Sequence, residues 1–367
     1  MMAGFIAVHV GAGYHGENFR PLYMKTCREA CSEAIQVLND GYDAVEAVAS
    51  AVSVLEDCPL TNAGIGSNLT LNGTVECDAG IMDGASLNFG SVGALCNMQN
   101  PIKVAKKLLV EQKKGLLSGG RIPPCTLVRE GALNWALDHG FSLFDNKNLL
   151  TKNSEYAYKK NKNLLEQIAS FISKTPTCLC NEEKRTYSEN DLLDTVGAIC
   201  VDSFGNVASA VSSGGLLLKF PGRIGQSPIY GAGCWAENSR ENSRPSVACT
   251  VTGAGEYLMK TIFAKECSTR LHEKYDCVSA LPDVFKEKFL DSIFLKNIDS
   301  KLAGVLALKH YAPDNFCEVA WAHNTKTMAL GYGSTKARKP VCLVSEQPVN
   351  ACDDKTIIGS EKLIRLT

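Results

Sequence analysis

The stretch Asp194-Thr195-Val196-Gly197-Ala198 puts a hydroxyl residue where a long polar segment meets a strand-like run, Thr195-Val196-Gly197-Ala198-Ile199-Cys200-Val201. A cut before Thr195 would create an N-terminus with a hydroxyl and a free amine on the same residue. The amine can then serve as base for the neighbouring oxygen, which makes one amino acid a minimal catalyst. An α-amine titrates near pH ~7.7–8.0, so a good fraction is neutral and able to take a proton at about pH 7. A plainer reading stays open at this point, because threonine also favours strand starts.

Such a nucleophile needs three supports. It needs a neighbouring hydroxyl or amide to orient it, donors about 3 Å from the oxygen of the attacked carbonyl, and a charged group to fix the substrate. Three glycine-framed segments after Thr195 offer them. Ser212-Ser213-Gly214-Gly215 ends a second strand-like run, so Ser213 could lie beside Thr195. Pro221-Gly222-Arg223-Ile224-Gly225-Gln226 presents one arginine between glycines, a fork suited to a carboxylate. Thr250-Val251-Thr252-Gly253-Ala254-Gly255-Glu256 is a turn opening a helix, where backbone N–H groups point outward at a positive dipole. Turn chemistry alone accounts for any one of these. Three behind a candidate nucleophile argue for a site.

The elements that must hold these residues read as follows. Phe5 to Val10 is a buried strand running into the tight turn Gly11-Ala12-Gly13. Helices are expected from Pro21 to Asn39, from Tyr42 to Leu55 with Asp43 as cap, and at Pro101–Gln112 and Gly131–Asp138. Strands are expected at Val75–Met82 and Ser91–Cys96. Val196–Val201 and Val207–Ser212 form a hairpin around Ser203-Phe204-Gly205-Asn206. Beyond it come helices at Gly255–Glu273 and Val278–Phe294. Short strands follow at Leu302–Leu308, Glu318–Ala322 and Thr327–Gly331. Strands and helices are grouped rather than alternating, which favours stacked antiparallel sheets flanked by helices over a doubly wound parallel sheet. From Asp145 to Asp194 the chain turns polar and reads as a mobile, solvated connection, with a short helix conceivable through Leu164, Leu165, Ile168 and Phe171. Its Lys159, Lys160, Lys162, Lys184 and Arg185 suit either a solvated face or a weak nuclear-import signal.

With 367 residues, 45% of them hydrophobic, a substantial core is available. The net charge of −1 and pI of about 6.6 give no global field for nucleic acid or acidic membranes. No apolar run reaches the roughly 18 residues of a membrane span. The Met1–Val10 stretch lacks the basic start of a secretory signal. The 16 cysteines show no framework. Cys178-Leu179-Cys180 is too tight for a usual zinc pair, and Cys27 and Cys31 have no second ligand pair. Buried reduced thiols are expected instead, without metal or cofactor, in a cytosolic or nuclear protein that is not secreted.

Taken in order, His9-Val10-Gly11-Ala12-Gly13, Thr61-Asn62-Ala63-Gly64-Ile65-Gly66-Ser67-Asn68, Glu76-Cys77-Asp78-Ala79, Met82-Asp83-Gly84, Asp194-Thr195-Val196-Gly197-Ala198, Pro221-Gly222-Arg223 and Gly233-Cys234-Trp235-Ala236-Glu237-Asn238 resemble the type 2 asparaginase family of N-terminal nucleophile hydrolases. The Ser213-Gly214-Gly215 form, the Cys234–Asn238 stretch and the long lysine-bearing segment are most similar to its threonine-aspartase branch. The resemblance implies a single four-layer αββα sandwich (α/β, more strictly α+β) with two stacked, mainly antiparallel sheets. It implies a precursor that cuts itself between Asp194 and Thr195 into an α chain (1–194) and a β chain (195–367), paired as a homodimer of processed protomers. By the same resemblance Thr195 is the nucleophile and Ser213 its supporting hydroxyl. Arg223 binds the substrate carboxylate, Thr252 and the Gly253 N–H form the oxyanion hole, and Asn62 lines the site. The implied substrates are proteins with an internal aspartate, namely a trithorax-type histone methyltransferase and a general transcription factor precursor.

One departure bears on the substrate. Asparaginases carry an aspartate at the position of Gln226, where it pairs with the free α-amine of a small substrate. An aspartate inside a polypeptide presents an amide there, and a buried carboxylate facing it would be uncompensated at several kcal/mol. Neutral Gln226 therefore suits an endopeptidase that cuts after aspartate. The alternatives are a small-molecule asparaginase or isoaspartyl peptidase, and an unprocessed scaffold that binds partners through the 145–194 segment.

Overall fold

The computed structural model describes residues 2–174, 195–241, 244–348, 351 and 354–366. Strand β1 (Phe5–Gly13) leads into α1 (Arg20–Asn39) and α2 (Ala44–Glu56). Then come β2 (Cys77–Asp83), β3 (Phe89–Leu95), α3 (Pro101–Gln112), β4 (Thr126–Val128), α4 (Arg129–Asp138) and α5 (Lys152–Lys174). After residue 194 the order is β5 (Val196–Val201), β6 (Val207–Ser213), β7 (Cys234–Glu237), β8 (Ser246–Gly253), α6 (Gly255–Thr261), α7 (Phe263–Glu273) and α8 (Cys277–Val284). Strands β9 (Ala303–Tyr311), β10 (Phe316–His323), β11 (Thr327–Ser334), β12 (Val341–Glu346) and β13 (Ile358–Arg365) complete it.

Among the described residues these strands make two sheets. One has eight strands in the order β12-β11-β1-β5-β6-β2-β3-β4, the other five in the order β13-β10-β9-β8-β7. Pairing is antiparallel except between β3 and edge strand β4. Helices α1–α3 cover the outer face of the large sheet, α7 and α8 the outer face of the small one, and β1, β5 and β6 face β8 and β9 in between. The result is the four-layer αββα sandwich.

Strand alternation explains the layering. Ile6, Val8, Val10, Ala198 and Cys200 point into the core beneath α1–α3, while Phe5, Ala7, Ile199 and Val201 point into the core between the sheets. Both faces are buried, so these strands read as continuous apolar runs. Small side chains set the spacing: a Cβ on Gly90 would stand 2.1 Å from the Ala105 carbonyl oxygen, so α3 lies directly on β3. Helix α2 starts where expected, with the Asp43 carboxylate accepting the Glu46 N–H at 2.9 Å.

Three expectations give way. The polar segment is not a loose connection over its first part: α5 spans Lys152–Lys174. Its start is capped by Thr151, whose Oγ1 accepts the Ser154 N–H at 3.1 Å, and Tyr158 Oη reaches the Leu71 carbonyl at 3.2 Å. Cys178, Cys180, Lys184 and Arg185 lie outside the described residues. The single helix expected over 255–273 is broken at Ile262, which adopts a left-handed φ of 46°. A straight helix would set the fully buried Leu258 and Phe263 roughly 140° apart around its axis, and the break turns both into one core. The helix expected to run to Phe294 ends at Val284, two residues after Pro282, and a wider turn brings Phe285 and Phe289 onto Phe263 at centroid distances of 5.4 and 5.1 Å. No helix among the described residues is long and apolar enough to cross a membrane.

Candidate active site

The β5–β6 hairpin pairs Val196 with Ser212, which leaves Thr195 beside Ser213. Thr195 is buried, and its Oγ1 donates to Ser213 Oγ at 3.1 Å. Ser213 Oγ also accepts the Gly215 N–H at 3.0 Å. On its other side Thr195 Oγ1 accepts from Gln226 Nε2 at 3.1 Å. The hydroxyl is thus held between one acceptor and one neutral donor, an arrangement that fixes its rotamer and favours charge developing on the oxygen. Asn62 anchors the turn behind Ser213. Its Nδ2 donates to the Gly215 carbonyl at 2.9 Å, its Oδ1 accepts the Asn68 N–H at 2.9 Å, and its own carbonyl accepts the Gly214 N–H at 2.7 Å.

The arginine loop 221–226 is tied down by two buried carboxylates. Glu76 accepts the Gly222 N–H at 2.6 Å and Asp78 accepts the Gly225 N–H at 2.7 Å. Between these ties Arg223 turns its Nε and Nη2 side to Glu256, with Nε to Oε1 at 2.7 Å and Nη2 to Oε2 at 2.5 Å. Burial pushes the Glu256 carboxyl up, but the Arg223 hydrogen bonds and charge more than offset it and hold the group below its ordinary value. The remaining Nη1 lies toward Gly215 and Gly225: Cβ atoms there would stand 2.9 and 3.3 Å from it. A guanidinium gripped along one edge presents the other edge as a fork for a second carboxylate.

Behind the nucleophile, His9 crosses the gap between the sheets. Its Nδ1 accepts the Gly11 N–H at 3.3 Å, so the proton belongs on Nε2, which faces Thr250 Oγ1 at 3.3 Å and the Thr195 backbone. Burial takes its pKa down to about 3, so the ring is neutral. Gly197 makes room for this contact: a Cβ there would stand 2.2 Å from Thr250 Oγ1 and 2.5 Å from His9 Nε2.

A model of the family described as asparaginase matches residues 2–343 of this chain. The chain belongs to the asparaginase family of N-terminal nucleophile hydrolases. An isoaspartyl peptidase from Salmonella typhimurium is 34% identical over 271 residues, covering 72% of this chain and 77% of that protein. An isoaspartyl peptidase/L-asparaginase from Xenopus laevis is 36% identical over 264 residues, 72% of this chain and 74% of that protein. A plant-type L-asparaginase from Pyrococcus furiosus is 32% identical over 344 residues, 91% of this chain and 98% of that protein. The protein is therefore a hydrolase of the asparaginase family.

In this asparaginase-family fold, Asn62, Thr195, Ser213, Arg223, Gln226 and Gly253 line one narrow pocket together with Gly215, Leu216 and Gly255. Thr252 is buried on β8 beside Gly253 and is not among the lining residues; Asp194 lies outside the described residues. Asn62 lines the pocket with its amide engaged in the 214–215 turn. One placement differs from the sequence reading: Gln226, read as facing a substrate's amine position, reaches the nucleophile itself. Sequence reasoning also missed the anchoring work of Glu76 and Asp78 and the grip of Glu256 on Arg223. The signal was present: carboxylates inside an apolar strand run must be buried, and buried carboxylates need donors. Among the described residues no three His, Cys, Asp or Glu side chains group so as to hold a metal ion.

Proposed function

We propose that this hydrolase is a taspase-type threonine endopeptidase that processes itself at Asp194-Thr195 and cuts polypeptides after aspartate. The observation that carries this reading is the neutral Gln226 amide at 3.1 Å from Thr195 Oγ1. An ammonium-bearing small substrate would want a free carboxylate at this point. Glu256, the acid beside the pocket, commits both oxygens to Arg223. A backbone amide on the substrate asks only for hydrogen bonding, which glutamine supplies.

In this mechanism the precursor divides into chains 1–194 and 195–367. The freed amine of Thr195 takes the hydroxyl proton as Oγ1 attacks the carbonyl carbon of the substrate aspartate. The free edge of Arg223 holds that aspartate's side-chain carboxylate. The Gly253 N–H with Thr252 receives the charge on the carbonyl oxygen. The C–N bond breaks, the amine returns its proton to the leaving nitrogen, and an ester remains on Thr195. Water, giving a proton to the same amine, attacks the ester and restores the hydroxyl. Nuclear regulators of the trithorax-type methyltransferase and general transcription factor classes are the partners this reading points to. It also points to a homodimer acting in nucleus and cytoplasm.

A denaturing gel of purified protein tests self-processing: the wild type yields two bands, T195A one. A wild type that stays whole after long incubation overturns the proposal. A second reading has support in the names of the relatives, which are isoaspartyl peptidases and L-asparaginases. Ammonia release from free asparagine at a rate matching cleavage of an aspartate-containing peptide decides for it.

A further inference from the structure

Glu56, the last residue of α2, is fully buried and has no part in the chemistry above. Its Oε1 accepts from Ser212 Oγ at 2.6 Å and from the Ile102 N–H in the first turn of α3 at 3.1 Å. Its backbone carbonyl accepts the Ile65 N–H at 2.8 Å. Gly64 packs so closely that a Cβ there would stand 2.8 Å from Glu56 Cβ. One residue therefore touches the strand that ends in Ser213, the helix beside it and the loop that carries Asn62. Its Oε2 is buried with no hydrogen-bond partner. With both donors on Oε1, Oε2 is the oxygen that can carry a proton without displacing a hydrogen bond.

We propose that Glu56 is a positioning residue for Thr195: its neutral carboxyl ties Ser212 to α3 and to the 61–68 loop, and its ionisation loosens that tie. The inference rests on the Thr195 chemistry proposed above. Burial is the largest influence on Glu56 and raises its pKa to about 8, against the hydrogen bonds of Ser212 and Ile102 and the nearby Asn100 amide, which favour the charged form. The charged groups facing it add little relief. Asp57, next in the chain, repels a charge on Glu56; nearby stands Cys77, itself buried, with Lys219 acting on it. The amide nearest an ionised Oε2, Asn100 Nδ2, already donates to the Ser53 carbonyl and Asp57 Oδ1, so the remedy is to admit water past the loop that carries Asn62.

The sign follows from linkage. The folded state holds a proton that the unfolded chain releases near 4.5, so stability declines as pH rises from 4.5 to about 8 and levels beyond. The test compares wild type, E56Q, E56A and S212A, measuring kcat and KM on an aspartate-containing peptide from about pH 6 to about pH 9.5, with melting temperatures of the same samples from about pH 4 upward. We expect wild-type kcat to fall several-fold (roughly fivefold) above pH ~8 with KM steady, as the site loses register. E56Q, which keeps the accepting carbonyl but cannot ionise, rescues the turnover that E56A loses and flattens that alkaline fall. E56Q also gains in melting temperature on the wild type as pH rises through the same window. S212A lowers kcat without raising KM. Superimposable pH profiles and melting curves for E56Q and wild type would overturn the inference. If the wild type cuts no peptide at any pH, the proposed reaction fails, and the melting curves alone judge Glu56.

Discussion

The two faces of the β5–β6 hairpin are built on different principles. The outer face, under α1–α3, carries Val196, Ala198, Cys200, Ala208 and Ala210, all fully buried and all apolar. Ser212, bonded to Glu56, is its one polar contact at the site end. The inner face carries Thr195, Gly197, Ser209 and Ser213 interleaved with Ile199, Val201 and Val211. Each inner polar group has a named partner: Ser209 Oγ, for instance, donates to the Cys249 carbonyl across the gap at 2.7 Å. Both faces are equally dry, yet one is specified by volume and the other by hydrogen bonds and by the absence of a Cβ at Gly197. Apart from the Ser212–Glu56 tie, stability and chemistry therefore reside on opposite sides of the same two strands.

The harshest way to sharpen this contrast is T195A. Removal of the inner hydroxyl abolishes turnover, a loss of at least ~10³-fold in kcat, while melting temperature moves little because one small polar group is lost. Turnover surviving in T195A would place the nucleophile elsewhere. G197A comes next. Its new methyl would stand 2.2 Å from Thr250 Oγ1 and 2.5 Å from His9 Nε2, so the sheets part or His9 leaves Thr195. Such overpacking costs about 1–3 kcal/mol, and we expect turnover to fall roughly 10–100-fold because the displaced contact holds the nucleophile's backbone. Steady-state kinetics and thermal unfolding read both. A G197A protein with wild-type kinetics would mean that the His9–Thr250 contact is packing only. R223K is milder. An ammonium cannot grip Glu256 along one edge and offer a fork along the other, so kcat/KM on an aspartate-containing peptide falls roughly tenfold. Unchanged kinetics would release Arg223 from substrate binding.

Sequence carried the frame of this site better than its supports. The hairpin was readable because turn residues join two short, largely apolar runs, and its register alone leaves Thr195 beside Ser213. The Gly197 requirement was not readable, since it comes from His9 and Thr250 on other strands. The grip of Glu256 on Arg223 joins a loop to a helix start 33 residues later, and no periodicity links them. Helix α5 was legible only in part, through Leu164, Leu165, Ile168 and Phe171, and its full span was obscured by its own composition. Leu164, Ile168 and Phe171 repeat at helical spacing but remain exposed, so the polar residues between them dominated the pattern. Strands β12 and β13 escaped notice because they are edge strands, half exposed and without a continuous apolar run. The break at Ile262 opposes local preference outright, a β-branched residue at positive φ, and only the shared core explains it.

The smallest expected effect tests the outer face. Cys200 is fully buried among the apolar residues beneath α1–α3, and burial pushes its thiol well above its ordinary pKa, so it acts as a small hydrophobe. C200A removes one sulfur's volume and leaves a void smaller than a methylene chain. The expected cost is about 1 kcal/mol of stability, a few degrees in melting temperature. No hydrogen bond to Thr195 or Ser213 passes through this side chain, so kcat and KM should stay within about twofold of wild type. Its neighbour in the chain, Ile199, faces the other way into the gap between the sheets, which makes the pair a local control one residue apart. A C200A protein that melts as the wild type does but turns over slowly would break the division of labour, because volume on the packed face would then be setting the geometry of the reactive one.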